Sequence, residues 1–162
     1  MTRPVRPWAK HPAVGSVPSA HGRGYLRMAE LSVVADQDYL ALARTSAMQV
    51  AALLGLPLPQ VADLRLAVDE GCTSFLVAAP GRTLERAAET GATLYLCYDR
   101  FPDHLRVTVR GQAPAMWPTQ DELGWEMLHA VAEQVHAEVV DGIGTLTFTE
   151  PLTAAGLDAG LG

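Results

Sequence analysis

The sequence predicts an α+β two-layer sandwich in which a mixed, mostly antiparallel β-sheet carries its helices on one face. Apolar residues alternate or recur at helical spacing in an order that gives β-α-α-β-β-α-β-β along the chain. No β-α-β alternation runs through that order, so a doubly wound parallel sheet is not expected. With 162 residues, the chain is long enough to bury a core of its own.

The helical pattern at residues 61–79 is the most regular in the chain. Glu70 and Ser74 are one turn apart and share a second face of this helix. That pair is typical of a small polar site, although a solvated helix face has the same spacing. The apolar stripe of the helix consists of Val61, Leu64, Val68, Cys72 and Phe75.

The remaining elements follow from shorter patterns. A strand at residues 28–34 is followed by a helix that Asp36 or Asp38 can cap. The buried side of that helix is expected to carry Leu40, Ala43, Ala47, Val50, Ala51 and Leu54. Later in the chain we expect strands at 92–99 and 105–110, a helix at 121–136, and strands at 137–140 and 144–148.

Composition divides the chain into a basic disordered tail at residues 1–26, one domain at 27–152 and a flexible tail at 153–162. The formal net charge is −6, and the first 27 residues carry +5, which leaves −11 on the remainder. An acidic body argues against direct nucleic-acid binding and suits a basic protein partner. No run approaches the roughly 18 apolar residues of a membrane span. No secretory signal is evident, so a cytoplasmic protein without membrane contact is expected.

Other reactive side chains show no site pattern. Cys72 and Cys97 form no disulfide framework, and buried reduced thiols are expected rather than a redox switch. Trp117 lies in a proline-containing loop, either as an exposed interface anchor or as a half-buried plug. No metal site is expected, because ligand spacing is missing around His104, His129 and His136.

Residues 66–73, Leu-Ala-Val-Asp-Glu-Gly-Cys-Thr, together with the element order resemble the RsbW-like anti-sigma regulatory factors. Residues 61–70 are especially similar to the actinobacterial UsfX branch, and the resemblance spans residues 27–152. It implies the GHKL (histidine-kinase-like ATPase) fold and a serine-protein kinase. It also implies a homodimeric regulator that sequesters an alternative RNA polymerase sigma factor and is displaced by an anti-anti-sigma protein of the STAS type.

Members of this family bind Mg-ATP through four features, and the first two are altered here. The first is a Glu followed four positions later by a magnesium-holding Asn; Glu70 is kept, but Ser74 replaces the Asn. A hydroxyl can still ligate magnesium. The second is an Asp-x-Gly whose carboxylate reads adenine, and here Gly111 and Ala113 occupy the two positions. A glycine cannot accept that hydrogen bond, so affinity and specificity for the base are lost.

The third feature is a glycine-rich lid whose backbone amides cradle the phosphates. The corresponding segment, 123–128, keeps only Gly124 of the glycines, and Glu126 adds a negative charge. The fourth is a Gly-Thr near the last strand, which Gly144 and Thr145 match, although this dipeptide is common in turns. The resemblance thus predicts a degenerate ATP/Mg site composed of Glu70, Ser74, Gly111, Gly124 and Thr145.

Phosphoryl transfer depends on positioned charges around the nucleotide. The sequence therefore favours a protein that binds Mg-ATP weakly or not at all and has no efficient kinase activity. If catalysis survives, Glu70 would be the base; otherwise it is a helix-face carboxylate kept by ancestry.

The first helix keeps the partner-binding feature of the family. Ala43 and Arg44 match an Ala-Arg whose guanidinium reaches both the sigma factor and the anti-anti-sigma protein. A planar fork suits this role because it grips a carboxylate through two bonds, although an exposed Arg on a helix is the plainer interpretation. The leading hypothesis is an anti-sigma factor. The alternatives are an active kinase that phosphorylates its anti-anti-sigma partner, and a degenerate GHKL scaffold that binds another regulator or ligand.

Overall fold

The computed structural model describes residues 24–76, 92–118 and 123–152. Its strands and helices follow in the predicted order, and short 3-10 turns at Gln37–Tyr39 and Ser74–Leu76 flank the first two helices. The elements are β1 (Leu26–Val34), α1 (Leu40–Leu53), α2 (Leu58–Thr73), β2 (Thr93–Arg100), β3 (His104–Gln112), α3 (Leu123–Val131), β4 (Glu133–Val140) and β5 (Ile143–Pro151).

The five strands form one sheet in the order β1-β2-β3-β5-β4. Every neighbouring pair of these described strands is antiparallel, so the predicted α+β class is confirmed with a sheet that contains no parallel pair. β5 inserts between β3 and β4, which places β3 at the centre of the sheet.

The hydrophobic core lies between the helices and one face of the sheet. The buried side of α1 is the predicted one, and its alanines let the helix lie close to its neighbours. Ser46 fixes α1 to the sheet, because its hydroxyl lies 2.7 Å from the hydroxyl of Tyr98. The sheet contributes Leu94, Leu96, Tyr98, Leu105, Val107, Val109, Leu146 and Phe148 to this core.

α2 lies unusually close to β5. A methyl group built on Gly71 would sit 3.1 Å from Cδ2 of Leu146 and 3.5 Å from Cε1 of Phe148. Glycine at this helical position therefore permits a contact that a larger residue would widen.

The predicted helix at 121–136 is wrong at its C-terminal end. α3 ends at Val131 and β4 begins at Glu133, so Val135 and His136 belong to a strand. Val135 continues the helical repeat of apolar residues, but it also alternates with Ala137, and both pack against the core from β4. Two periods fit the same residues, and pairing with β5 decides between them.

Other boundaries shift by small amounts. β1 begins at Leu26 rather than at residue 28, and α2 begins at Leu58. Asp36 caps the 3-10 turn that precedes α1, since its carboxylate accepts a hydrogen bond from the backbone N–H of Asp38, whereas the N-cap of α1 itself is Tyr39, which makes no side-chain cap hydrogen bond. The predictions for residues 1–23, 77–91 and 153–162, and for the start of the helix predicted at 121–136, lie outside the described residues.

Within the described ranges, no helix combines the length and the apolar character needed to cross a membrane.

Glu150 is a buried carboxyl between β5 and the first turn of α2. Its side chain is 4% exposed, and Nε2 of Gln60 donates to it at 2.9 Å and to the carbonyl of Pro151 at 2.9 Å. Burial raises the pKa of Glu150 to about 7, and the neighbouring Asp63 and Glu133 act in the same direction. Oε1 of Gln60 is buried without a hydrogen-bond partner among the described residues, so a donor at position 150 would satisfy it.

Replacement of Glu150 by Gln is expected to stabilise the protein at pH 8 by about 1 kcal/mol, a discounted value because water still screens part of the charge. The folded pKa lies above the ordinary carboxyl value of 4.5. The stabilising effect of the proton is therefore complete below pH 4.5 and is lost as the pH rises through about 7. Urea unfolding between pH 4.5 and pH 8.5 measures this difference.

The matched control for this experiment is Glu138→Gln, because Glu138 is exposed on β4. We expect the difference between wild type and Glu150→Gln to grow with pH, and that between wild type and Glu138→Gln to stay flat. An equal difference at all pH values would contradict the account of Glu150.

Candidate functional site

The C-terminal half of α2 meets the first turn of α3 at Glu70. A methyl group built on Gly124 would lie 2.5 Å from Oε2 of Glu70, so a larger residue at position 124 would require the Glu70 carboxyl to move. Burial raises the pKa of Glu70, and the adjacent Asp69 adds to the effect. Two of the predicted site residues, Glu70 and Gly124, are thus brought together.

Ser74 has its hydroxyl engaged on both sides. Its Oγ donates to the carbonyl of Gly71 at 2.7 Å and accepts the indole N–H of Trp117 at 3.1 Å. The oxygen that would replace the magnesium-holding Asn is therefore already used in two internal hydrogen bonds.

Gly111 and Gly144 face each other across β3 and β5, on the inner face of the sheet. A methyl group on Gly111 would lie 2.7 Å from Cδ2 of Leu94 and 3.4 Å from Cδ1 of Phe75. A methyl group on Gly144 would lie 2.7 Å from Cε1 of Phe75 and 2.9 Å from Cζ3 of Trp117. The two glycines thus form a flat floor, and an aspartate at position 111 would need space that Leu94 and Phe75 fill.

Phe75 and Trp117 cover this floor, and we call the two rings the aromatic plug. Their centroids are 4.6 Å apart with the planes tilted by 32°, and the residues are 5% and 6% exposed. Such a pair adds roughly 0.5–1.5 kcal/mol beyond its burial. The interpretation of Trp117 as an exposed interface anchor is wrong, and the loop plug is the arrangement that the structure shows.

Thr145 is not brought to the other predicted site residues. It pairs with Arg110 on β3 and with Glu138 on β4, and it lines a shallow groove with them on the outer face of the sheet. Gly144, its neighbour, faces inward. The Gly-Thr match therefore contributes its glycine to the floor, while the threonine hydroxyl points away from Glu70 and Ser74.

Arg44 joins α1 to α2. Its Nε donates to Oδ1 of Asp69 at 2.7 Å, with the two side chains 32% and 26% exposed. The two terminal nitrogens of Arg44 have no hydrogen bond to any other described residue, so they remain available to a carboxylate from outside. Sequence reasoning missed this pair, because 25 positions separate its members and no local pattern links them.

The cysteines and histidines form no second site within the described ranges. Cys72 and Cys97 are free thiols, and burial raises the pKa of Cys72 to about 12, which keeps it protonated. No group of three or more His, Cys, Asp or Glu side chains in the described residues is placed to hold a metal ion.

Comparison with known proteins supports the resemblance. No family model matches the chain. A stretch of 115 residues is 36% identical to "Anti-sigma-F factor RsbW" of Mycobacterium tuberculosis, in strain CDC 1551/Oshkosh and equally in strain ATCC 25618/H37Rv. This chain is RsbW-like. The match covers 68% of the chain and 61% of each curated relative, so the RsbW-like chain spans about three fifths of their length.

The predicted resemblance is thereby confirmed, and the antiparallel sheet with its three helices is consistent with a GHKL-like RsbW fold.

Gly144→Ala is expected to destabilise this RsbW-like protein by about 1–3 kcal/mol, because the added methyl group overlaps both rings of the aromatic plug. Gly24→Ala is the matched control, since nothing lies within 4 Å of a methyl group at Gly24. Chemical denaturation of the three proteins measures the effect. Equal stability of all three would show that the rings do not rest on Gly144.

Proposed function

We propose that this RsbW-like protein is an anti-sigma factor that binds an alternative RNA polymerase sigma factor without any nucleotide. The curated relatives are named as anti-sigma-F factors, which supports the sigma factor as the partner. The observation that carries the nucleotide-independent part is the aromatic plug over Gly111 and Gly144. It lies where the family resemblance puts the adenine-reading carboxylate.

Three features of the site oppose nucleotide binding. Gly111 offers no carboxylate, and the space beside it is filled by Leu94 and Phe75. The hydroxyl of Ser74 is engaged by Trp117. Glu126, in the first turn of α3, adds a negative charge where a triphosphate would have to approach. A base without its hydrogen-bonding partner and a phosphate beside a carboxylate both lose affinity.

The partner surface in this proposal is the side of α1 that carries Arg44. Asp69 fixes the guanidinium through Nε and leaves its terminal nitrogens for a carboxylate of the sigma factor. Met48, one turn away on the same face and 44% exposed, supplies apolar contact. A STAS-type anti-anti-sigma protein would release the sigma factor by competing for the same contacts, and the protein would act as a homodimer.

A kinase is the second candidate, and one observation favours it. Glu70 is half-buried with a raised pKa, as a general base for the hydroxyl of an anti-anti-sigma protein would need to be. Such an enzyme requires Mg-ATP, so the nucleotide dependence of partner binding separates the two candidates.

The test is capture of purified sigma factors of the native cell by this protein, with and without Mg-ATP. We expect one sigma factor to bind equally in both conditions. Arg44→Ala should weaken that binding at least tenfold, the effect of losing a central arginine contact. Arg65→Ala is the matched control, because Arg65 is exposed on α2, and it should bind like wild type.

Binding that occurs only with Mg-ATP would contradict the nucleotide-independent mechanism. Equal weakening by both arginine substitutions would contradict the role of Arg44.

A further inference from the structure

We propose that Trp117 occupies a site for a flat heterocycle with a ring N–H, and acts there as an intramolecular competitor of free ligands of that class. The inference rests on the proposed function, which treats this region as the degenerate nucleotide site. The site itself does not depend on a sigma factor, because it is defined by residues that remain when the indole of Trp117 is removed.

The floor of the site belongs to the sheet. Gly111 and Gly144 pair across β3 and β5 and present backbone without side chains toward the core. Phe75 closes one side, with its ring 4.6 Å from that of Trp117. Removal of the indole would leave an apolar space bounded by a flat floor and an aromatic wall, which is the shape that a planar ring fills.

Ser74 gives the site its polar preference. Because its Oγ donates to the carbonyl of Gly71, it presents an acceptor toward the ring, and the N–H of Trp117 takes that acceptor at 3.1 Å. A free ligand would therefore gain from a ring N–H at the same point. Indole fits this description, and benzofuran, which has the same shape with oxygen in place of the N–H, does not.

Trp117 comes from a loop rather than from the sheet. The backbone N–H of Trp117 donates to the carbonyl of Pro114 at 3.1 Å within this loop. The loop is held to the turn before β5 by a hydrogen bond from the N–H of Ala113 to the carbonyl of Gly142, at 2.9 Å. Met116, just before Trp117 in the loop, is 89% exposed and has a φ of 63°, a left-handed backbone conformation that few residues other than glycine adopt. The competitor is thus carried by a segment distinct from the floor and from Ser74.

The experiment uses the full chain with Trp117→Ala, titrated with indole and with benzofuran. We expect indole to raise the melting temperature and to give a saturable calorimetric signal, and benzofuran to bind about three- to tenfold more weakly. Wild type should bind neither ligand, because its own indole fills the site. Trp125→Ala is the matched control: Trp125 contacts His129 on α3, and its loss should create no indole site.

The proposal would be overturned if the Trp117→Ala variant bound neither ligand, or if it bound indole no better than the Trp125→Ala variant does. Equal affinity for indole and benzofuran would overturn the role of Ser74. If Trp117→Ala does not fold alone, refolding in millimolar indole is scored instead, and failure to recover the fold also overturns it. None of these outcomes depends on a sigma factor, so failure here is distinguishable from failure of the proposed function.

Discussion

The contact of Phe75 and Trp117 with the floor formed by Gly111 and Gly144 is the constraint on which the site depends. Neither ring could lie where it does if Gly144 carried a side chain, and a side chain at Gly111 would overlap Leu94, which packs beside Phe75. Once the rings are there, the hydroxyl of Ser74 bonds the indole and the position next to Gly111 has no room for a carboxylate. In the proposed function, the missing adenine-reading carboxylate and the filled space beside Gly111 therefore have the same structural cause.

α2 connects this end of the sheet to the surface of α1. Gly71 lets the helix approach β5, which places Ser74 and Phe75 over the floor. One turn earlier, Asp69 reaches across to Arg44. A helix held at both points positions Asp69, and the Asp69 carboxylate in turn positions the guanidinium of Arg44 through Nε. An arginine already held in place loses less conformational entropy when a partner binds.

The sequence was sufficient for the parts of the fold that depend on local periodicity. The buried side of α1 is the predicted set because a single helical period fits it, and the stripe of α2 is buried at Leu64, Val68, Cys72 and Phe75. The predicted end of α3 was wrong because Val135 fits both the apolar repeat of a helix and the alternation of a strand. Only pairing with β5 separates the two.

The candidate site was predictable in its residues more than in its arrangement. The meeting of Glu70 with Gly124 follows the resemblance, whereas the inward position of Trp117 needed the facing pair Gly111 and Gly144. The sequence contains two glycines that prove to lie at the ends of adjacent strands, with a tryptophan in the loop after the first of these strands. Whether the two glycines face each other depends on strand register, which the periodicity of the sequence does not predict.

Calorimetric titration of wild-type protein with Mg-ATP tests the central claim, that the aromatic plug has replaced the nucleotide, most directly. We expect no saturable heat at millimolar nucleotide, because the pocket is filled and its polar contacts are used internally. A saturable signal with micromolar affinity would contradict the account, since it would require Trp117 to leave the floor for a ligand that the site was inferred not to hold.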